Sequence, residues 1–144
     1  MASQNFANHG RIVPAYHFVL APLLLATLSG SINNLVHAIL DHRDLYNASL
    51  IVALSIAGVF TAIFARVFAL KAQDRAIRAE ENLRHFAMTG KLLDARLQPL
   101  QIVALRFASD GEFVALAQKA AQDNMKPVDI KRAIQTWRAD EYRV

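Results

Sequence analysis

Five residues in the first half of the chain have the chemistry for a path or a binding stripe. Gly30, Asn33, Asn34 and His37 follow i, i+3, i+4, i+7, and Asp41 extends the series by four. On a helix they share one face. Amides, an imidazole and a carboxylate in a row can relay a proton, carry an ion or grip a ligand. They can equally zip two helices together. Lipid offers a side-chain amide no hydrogen-bond partner, so the stripe must face protein or water if this helix crosses a membrane. The zipper is the simpler reading. Ser55, Gly58 and Ala62 form a small-residue face that could meet it.

Other chemistries are thinly supplied. The chain has no cysteine, which excludes disulfides, thiolate metal sites and a cysteine nucleophile. His37, Asp41, His42 and Asp44 lie close in sequence, and His37 and Asp41 have workable ligand spacing. With no third histidine nearby, they read as a solvated turn and no metal is expected. His17 and His37 are far apart on one segment, so no haem pair is expected either. There is no glycine-rich phosphate loop, no HExxH and no G-x-S-x-G. The chain therefore reads as a non-enzyme without a cofactor.

The elements that must position the stripe are apolar. Hydrophobic residues make up 54% of the 144, concentrated before Lys71, with nearly all the charge after it. The fold class is all-α. We expect an N-terminal tail (1–12), mobile or lying at the membrane interface, and a transmembrane hairpin (13–70) with spans at about 16–40 and 48–70. A juxtamembrane amphipathic helix (71–90) and a small α-helical domain (91–144) follow. Pro14 suits a helix start, and Pro22 should bend the first span or loosen one turn. The apolar core 18–28 alone is short for a span, so a signal-peptide h-region, with Arg11 as its n-region and Thr27-Leu28-Ser29 as a weak cleavage site, is a rival; the apolar character resuming at Leu35 and Val36 outweighs it. Ala53/Ala57, Gly58/Ala62 and Ala65/Ala69 let a neighbouring helix come close, and Arg66 can snorkel to the headgroups as an anchor.

Orientation follows from the flanks. Arg11 precedes the first span, the connector 41–47 sums to −1, and Lys71, Arg75 and Arg78 outweigh Asp74 after the second. Both termini are therefore expected in the cytoplasm.

Nothing breaks the second helix before Thr89-Gly90, a C-terminal stop. Ala65, Ala69, Ala72, Ala76, Ala79, Leu83 and Phe86 repeat at 4-3-4-3 spacing, a narrow seam for a second copy or for the chain's own tail. Asp74/Arg78, Glu80/Arg84 and Glu81/His85 are i, i+4 pairs, and His85 reads as a helix C-terminal cation. Three short helices should follow. Leu100, Val103, Ala104 and Phe107 carry one apolar face; Phe113, Leu116, Ala117 and Ala120 the next; Ile130, Ala133, Ile134 and Trp137 the last. Pro99, Pro127 and the capping-box spacing of Ser109 and Glu112 sign their starts.

Several stretches resemble an uncharacterised family of small bacterial membrane proteins, known only as a domain of unknown function. They include Gln4-Asn5-Phe6-Ala7-Asn8-His9, Pro14-Ala15-Tyr16-His17-Phe18, Gln73-Asp74-Arg75-Ala76-Ile77-Arg78-Ala79-Glu80-Glu81-Asn82-Leu83-Arg84, Leu100-Gln101-Ile102-Val103-Ala104-Leu105-Arg106-Phe107 and Trp137-Arg138-Ala139-Asp140. The resemblance covers almost the whole chain. It implies a bacterial inner-membrane protein with two spans and a cytoplasmic tail, and it brings no activity or catalytic residue.

Three functions fit. The first is a non-enzymatic accessory subunit or adaptor in the bilayer, partnered by another membrane protein or by itself. Asp74, Arg75, Arg78, Glu80, Glu81 and Arg84 would then form a docking rod that sets partner choice. The second is a membrane-tethered helix-turn-helix-like DNA binder reading with Lys131, Arg132, Gln135 and Arg138. Residues 91–144 hold nine basic and seven acidic side chains, a net +2 that is weak for phosphate binding, so nucleic acid is not the expected partner. The third is an oligomeric proton- or ion-coupled transport element lined by Asn33, Asn34 and His37. The adaptor reading asks least of the residues.

Overall fold

The structure is a computed structural model that describes residues 4–140, so the first three and last four residues of the expected tail and domain lie outside it. The described chain is helical and divides into two compact units, 12–69 and 4–11 with 70–140.

In the unit 12–69, a loosened π-helical turn, Ala15–Leu20, leads into α1, Ala21–Asp41. The loosening falls where Pro22 predicts it. The proline has no N–H to give the preceding turn, and the Ala21 N–H reaches back five residues to the Tyr16 carbonyl. The connector is His42, Arg43 and Asp44; His42 and Asp44 both have φ 52°, a conformation their polar side chains tolerate. The second helix, α2, runs Leu45–Thr89 and starts three residues before the expected Ala48. Turn plus α1 make 27 residues, about 40 Å at ~1.5 Å per residue, enough to cross ~30 Å of hydrocarbon. Both helices are long and apolar enough to span a membrane.

Small side chains make the contact between α1 and residues 45–69. Ser31, Ala38, Ala48 and Ser55 are buried, and the serine hydroxyls bond back to the Leu28 and Ile51 carbonyls of their own helices. A Cβ on Gly58 would sit 3.5 Å from Leu24. The Tyr16 hydroxyl donates to the Ala62 carbonyl at 3.1 Å. The face of Ser55, Gly58 and Ala62 thus meets Tyr16 and Leu24. The expected meeting with the Gly30–Asn34 stripe is not seen: Gly30, Asn33 and Asn34 are exposed.

The other unit has a core. α3 (Pro99–Leu105), α4 (Asp110–Gln122) and α5 (Pro127–Ala133) enclose Phe107, Phe113, Leu105 and Ile130, all essentially fully buried. The α4 face of Phe113, Leu116, Ala117 and Ala120 is buried as its spacing predicts. α3 differs. Leu100 is exposed, and Gln101, Ile102, Ala104 and Leu105 face inward. The helix is only seven residues long, and Phe107 enters the core from the turn after it. Gln101 can be buried because its amide is used: Oε1 accepts from the Gln98 N–H, and Nε2 donates to the Met125 carbonyl at 2.8 Å. α5 also stops early. Past Ala133 the chain is extended, and Trp137 reaches the core through a bridge to Ala108, with the Arg138 N–H on the Phe107 carbonyl at 2.7 Å. Gly90, at φ 72°, ends α2 with its N–H on the Phe86 carbonyl, the stop its sequence announced.

The N-terminal arm, 4–11, touches the helical core through Gln4 and His9. Asn5 and Asn8 lock a turn through reciprocal side-chain bonds. The Gln4 Oε1 accepts from the Asp140 N–H at 2.8 Å. His9 lies against Phe107 and Trp137, and its Nε2 is 3.0 Å from Lys131 Nζ.

Candidate functional site

The rod, residues 70–89 of α2, has two opposite faces that share no role. One is covered by the helical core. Ile77, Glu81 and His85 are buried, and Arg84 lies beside them. Arg84 Nη1 donates to Glu81 at 2.9 Å, Nη2 to the Ala108 carbonyl at 2.8 Å, and Nε to Asp110 at 2.8 Å. Its guanidinium carbon stands 4.2 Å from the Phe113 ring centroid. The planar fork satisfies all these acceptors at once while stacking on an aromatic face, which a lysine could not do. The Arg84 bond holds the Asp110 carboxyl below the usual range.

These contacts correct the docking-rod expectation. Glu81 and Arg84 are spent on internal packing. His85 is no exposed C-terminal cation: its ring lies against Phe113 with Nδ1 2.7 Å from the Lys91 carbonyl, so that nitrogen must carry the proton it donates. Asp74 is half-buried. Arg75, Arg78 and Glu80 stay exposed.

The opposite face has no cover. Leu83 is 68% and Phe86 51% exposed, and Ala72 and Ala79 lie open above them on the same seam. Arg75 and Arg78 flank it. Apolar side chains in a row, rimmed by charge, have the make-up of a helix-binding surface.

Acid groups brace the neighbouring turns. Burial pushes the Glu112 carboxyl up, but it is held below its ordinary value by the backbone N–H groups of Gln135, Thr136 and Ser109. Glu112 thereby fixes the segment that delivers Trp137 and supplies one half of the capping box its spacing predicts; the other half is missing, since Ser109 makes no side-chain cap bond to its helix. Asp94 is pulled down to about 2 by the Arg96 guanidinium.

In the unit 12–69, Gly30, Asn33, Asn34, His37 and Asp41 are all exposed along α1. Asn33, Asn34 and His37 make no side-chain hydrogen bond among the described residues. Arg66 is half-buried, its guanidinium carbon 5.7 Å from the Tyr16 ring centroid. Of the DNA-reading set, Lys131 is on α5 against His9, Arg132 is on α5 over Phe6, and Gln135 and Arg138 fall outside any helix. Among the described residues, no three His, Asp or Glu side chains converge as metal ligands would.

A family model described as a family of unknown function (DUF6526) matches residues 1–144. The chain belongs to this family. No curated protein and no solved structure matches it. The family supplies no residue roles, so the rod's two faces are the geometry on which a function must be argued.

Sequence reasoning found the seam by its 4-3-4-3 spacing but missed the covered face and the arm's seat. The mutual Asn5/Asn8 spacing beside Phe6 and His9 was the signal that the arm folds into a turn.

Proposed function

We propose that this protein is a non-enzymatic, membrane-anchored adaptor or accessory subunit. Its two apolar helices cross the bacterial inner membrane. Its rod presents the uncovered seam to a helix of another membrane protein. The observation that carries the reading is the division of the rod: the core covers Ile77, Glu81 and His85, and the seam of Ala72, Ala79, Leu83 and Phe86 stays open.

Side-chain exposure supports the membrane part. Only 6% and 11% of the two most apolar windows are buried, too little for core helices of a soluble fold. Phe18, Leu54 and Phe68 are each more than half exposed and would face lipid. The packing of arm 4–11 on the C-terminal domain supports a shared side for both ends, as an even number of spans requires. Arg11, Lys71, Arg75 and Arg78 make that side the cytoplasm.

The test is site-specific photocrosslinking in native membranes. A crosslinker at Leu83 or Phe86 should give one adduct of defined mass, identified as a membrane protein. The same probe at Gln118, exposed on α4, should give none. Equal, diffuse labelling at both sites would overturn the docking role.

A further inference from the structure

We infer that α1 pairs with α1 of a second copy of this chain through Asn33 and Asn34. The inference rests on the membrane reading above and deepens its partner assignment.

Depth decides which stripe residues need protein. Asn33 is eight residues from the end of α1 at Asp41, about 12 Å along the axis. If the 27-residue segment is centred on ~30 Å of hydrocarbon, each end protrudes by about 5 Å. Asn33 and Asn34 then lie roughly 5–7 Å inside the apolar layer, while His37 and Asp41 reach its edge and water. Two carboxamides would then lie in lipid with no hydrogen bond among the described residues. The rest of the hairpin does not cover them: α1 meets it through Ser31 and Ala38, while Asn33 and Asn34 are both exposed.

The chemistry of the occupant follows from the amide. A carboxamide carries donor and acceptor in one group, so its best-matched partner is another carboxamide. A second copy brings the same group at the same depth and in the same direction, because both share one topology. Around a two-fold axis parallel to the spans, Asn33 and Asn34 of one copy face those of the other, an isologous contact. The approach is open. Ala26 and Gly30 precede the amides on the same face, and a Cβ added at Gly30 would meet nothing within 4 Å. Small residues there allow the backbones to come close enough for short side chains to bond.

The chain has no native cysteine, so single cysteines report cleanly. Gly30→Cys and, on a different exposed face of α1, Ile32→Cys would each be made in the full chain, reconstituted in lipid vesicles and oxidised. Alkaline carbonate extraction of the same vesicles reports membrane integration separately. The expected result is disulfide dimer at Gly30→Cys and little at Ile32→Cys. Asn33→Ala with Asn34→Ala should cut the dimer fraction roughly tenfold while leaving the protein in the membrane. Equal crosslinking at both positions, or none in an integrated protein, would overturn the α1 contact and leave the adaptor reading standing. Release by carbonate would overturn the membrane reading itself, and the α1 contact with it.

Discussion

The two units solve the burial problem in opposite ways. Between α1 and residues 45–69, the buried groups are alanines and self-satisfied serines, and the large side chains point outward. In the unit of arm, rod and α3 to α5, the large side chains point in: Phe107, Phe113, Leu105 and Ile130 are sealed. The first pattern suits a solvent as apolar as leucine, where close backbones and hydrogen bonds hold helices together. The second suits water, where apolar area removed from solvent does the work. One helix, α2, carries both patterns along its length, and that is the physical content of the anchoring claim.

The sharpest break in this contrast is core truncation. Phe113→Ala removes a ring sealed under Arg84 and should cost about 3–5 kcal/mol of the helical unit's stability in denaturant unfolding. Phe64→Ala, half-exposed in the apolar unit, should cost far less in the same measurement. Similar losses would erase the distinction.

Arg84→Ala comes next. Among the described residues it leaves a buried Glu81 with Arg138 alone, 3.7 Å away, as a counter-charge, and should cost about 3 kcal/mol. Arg84→Lys should recover only part, because it lacks the fork.

Glu112→Ala should cost about 2 kcal/mol by freeing the backbone of Gln135 and Thr136. Its folded carboxyl is lowered, so its stabilising share is complete above the unfolded carboxyl range. That share is lost as pH falls through the lowered folded value. Acid unfolding of the wild type should therefore steepen only below the ordinary glutamate range, and Glu112→Gln should flatten that slope.

The smallest effect on folding belongs to the seam. Leu83→Asp touches nothing the chain itself covers, so thermal unfolding should shift by no more than about 0.5 kcal/mol. Any partner bound there should be lost.

The sequence reading reached as far as periodicity and punctuation carry information. Pro22 marked the loosened turn, Gly90 marked the stop, and the α4 spacing named its buried face. It failed where one pattern has two physical meanings. Glu81 and Arg84 have the i, i+3 spacing of a solvated helix face, and only the arrival of Ala108, Asp110 and Phe113 from elsewhere in the chain turns them into a buried clasp. Trp137 fitted a helical repeat with Ile130, yet reaches the core through extended chain held by Glu112. Both outcomes depend on contacts more than twenty residues apart, which local spacing does not encode. The stripe of Gly30, Asn33, Asn34, His37 and Asp41 was legible as a face, but its exposure follows from the burial of Ser31 and Ala38 against residues 45–69.

The most direct test of the adaptor claim is the native particle. The full chain and Leu83→Asp would be extracted from their own membranes in mild detergent, and particle mass measured with identification of the accompanying chains. The account expects wild type to carry one defined second protein at fixed stoichiometry, and Leu83→Asp to lose it while staying folded and integrated. A wild-type particle containing this chain alone, or a second protein retained equally by both, would contradict it.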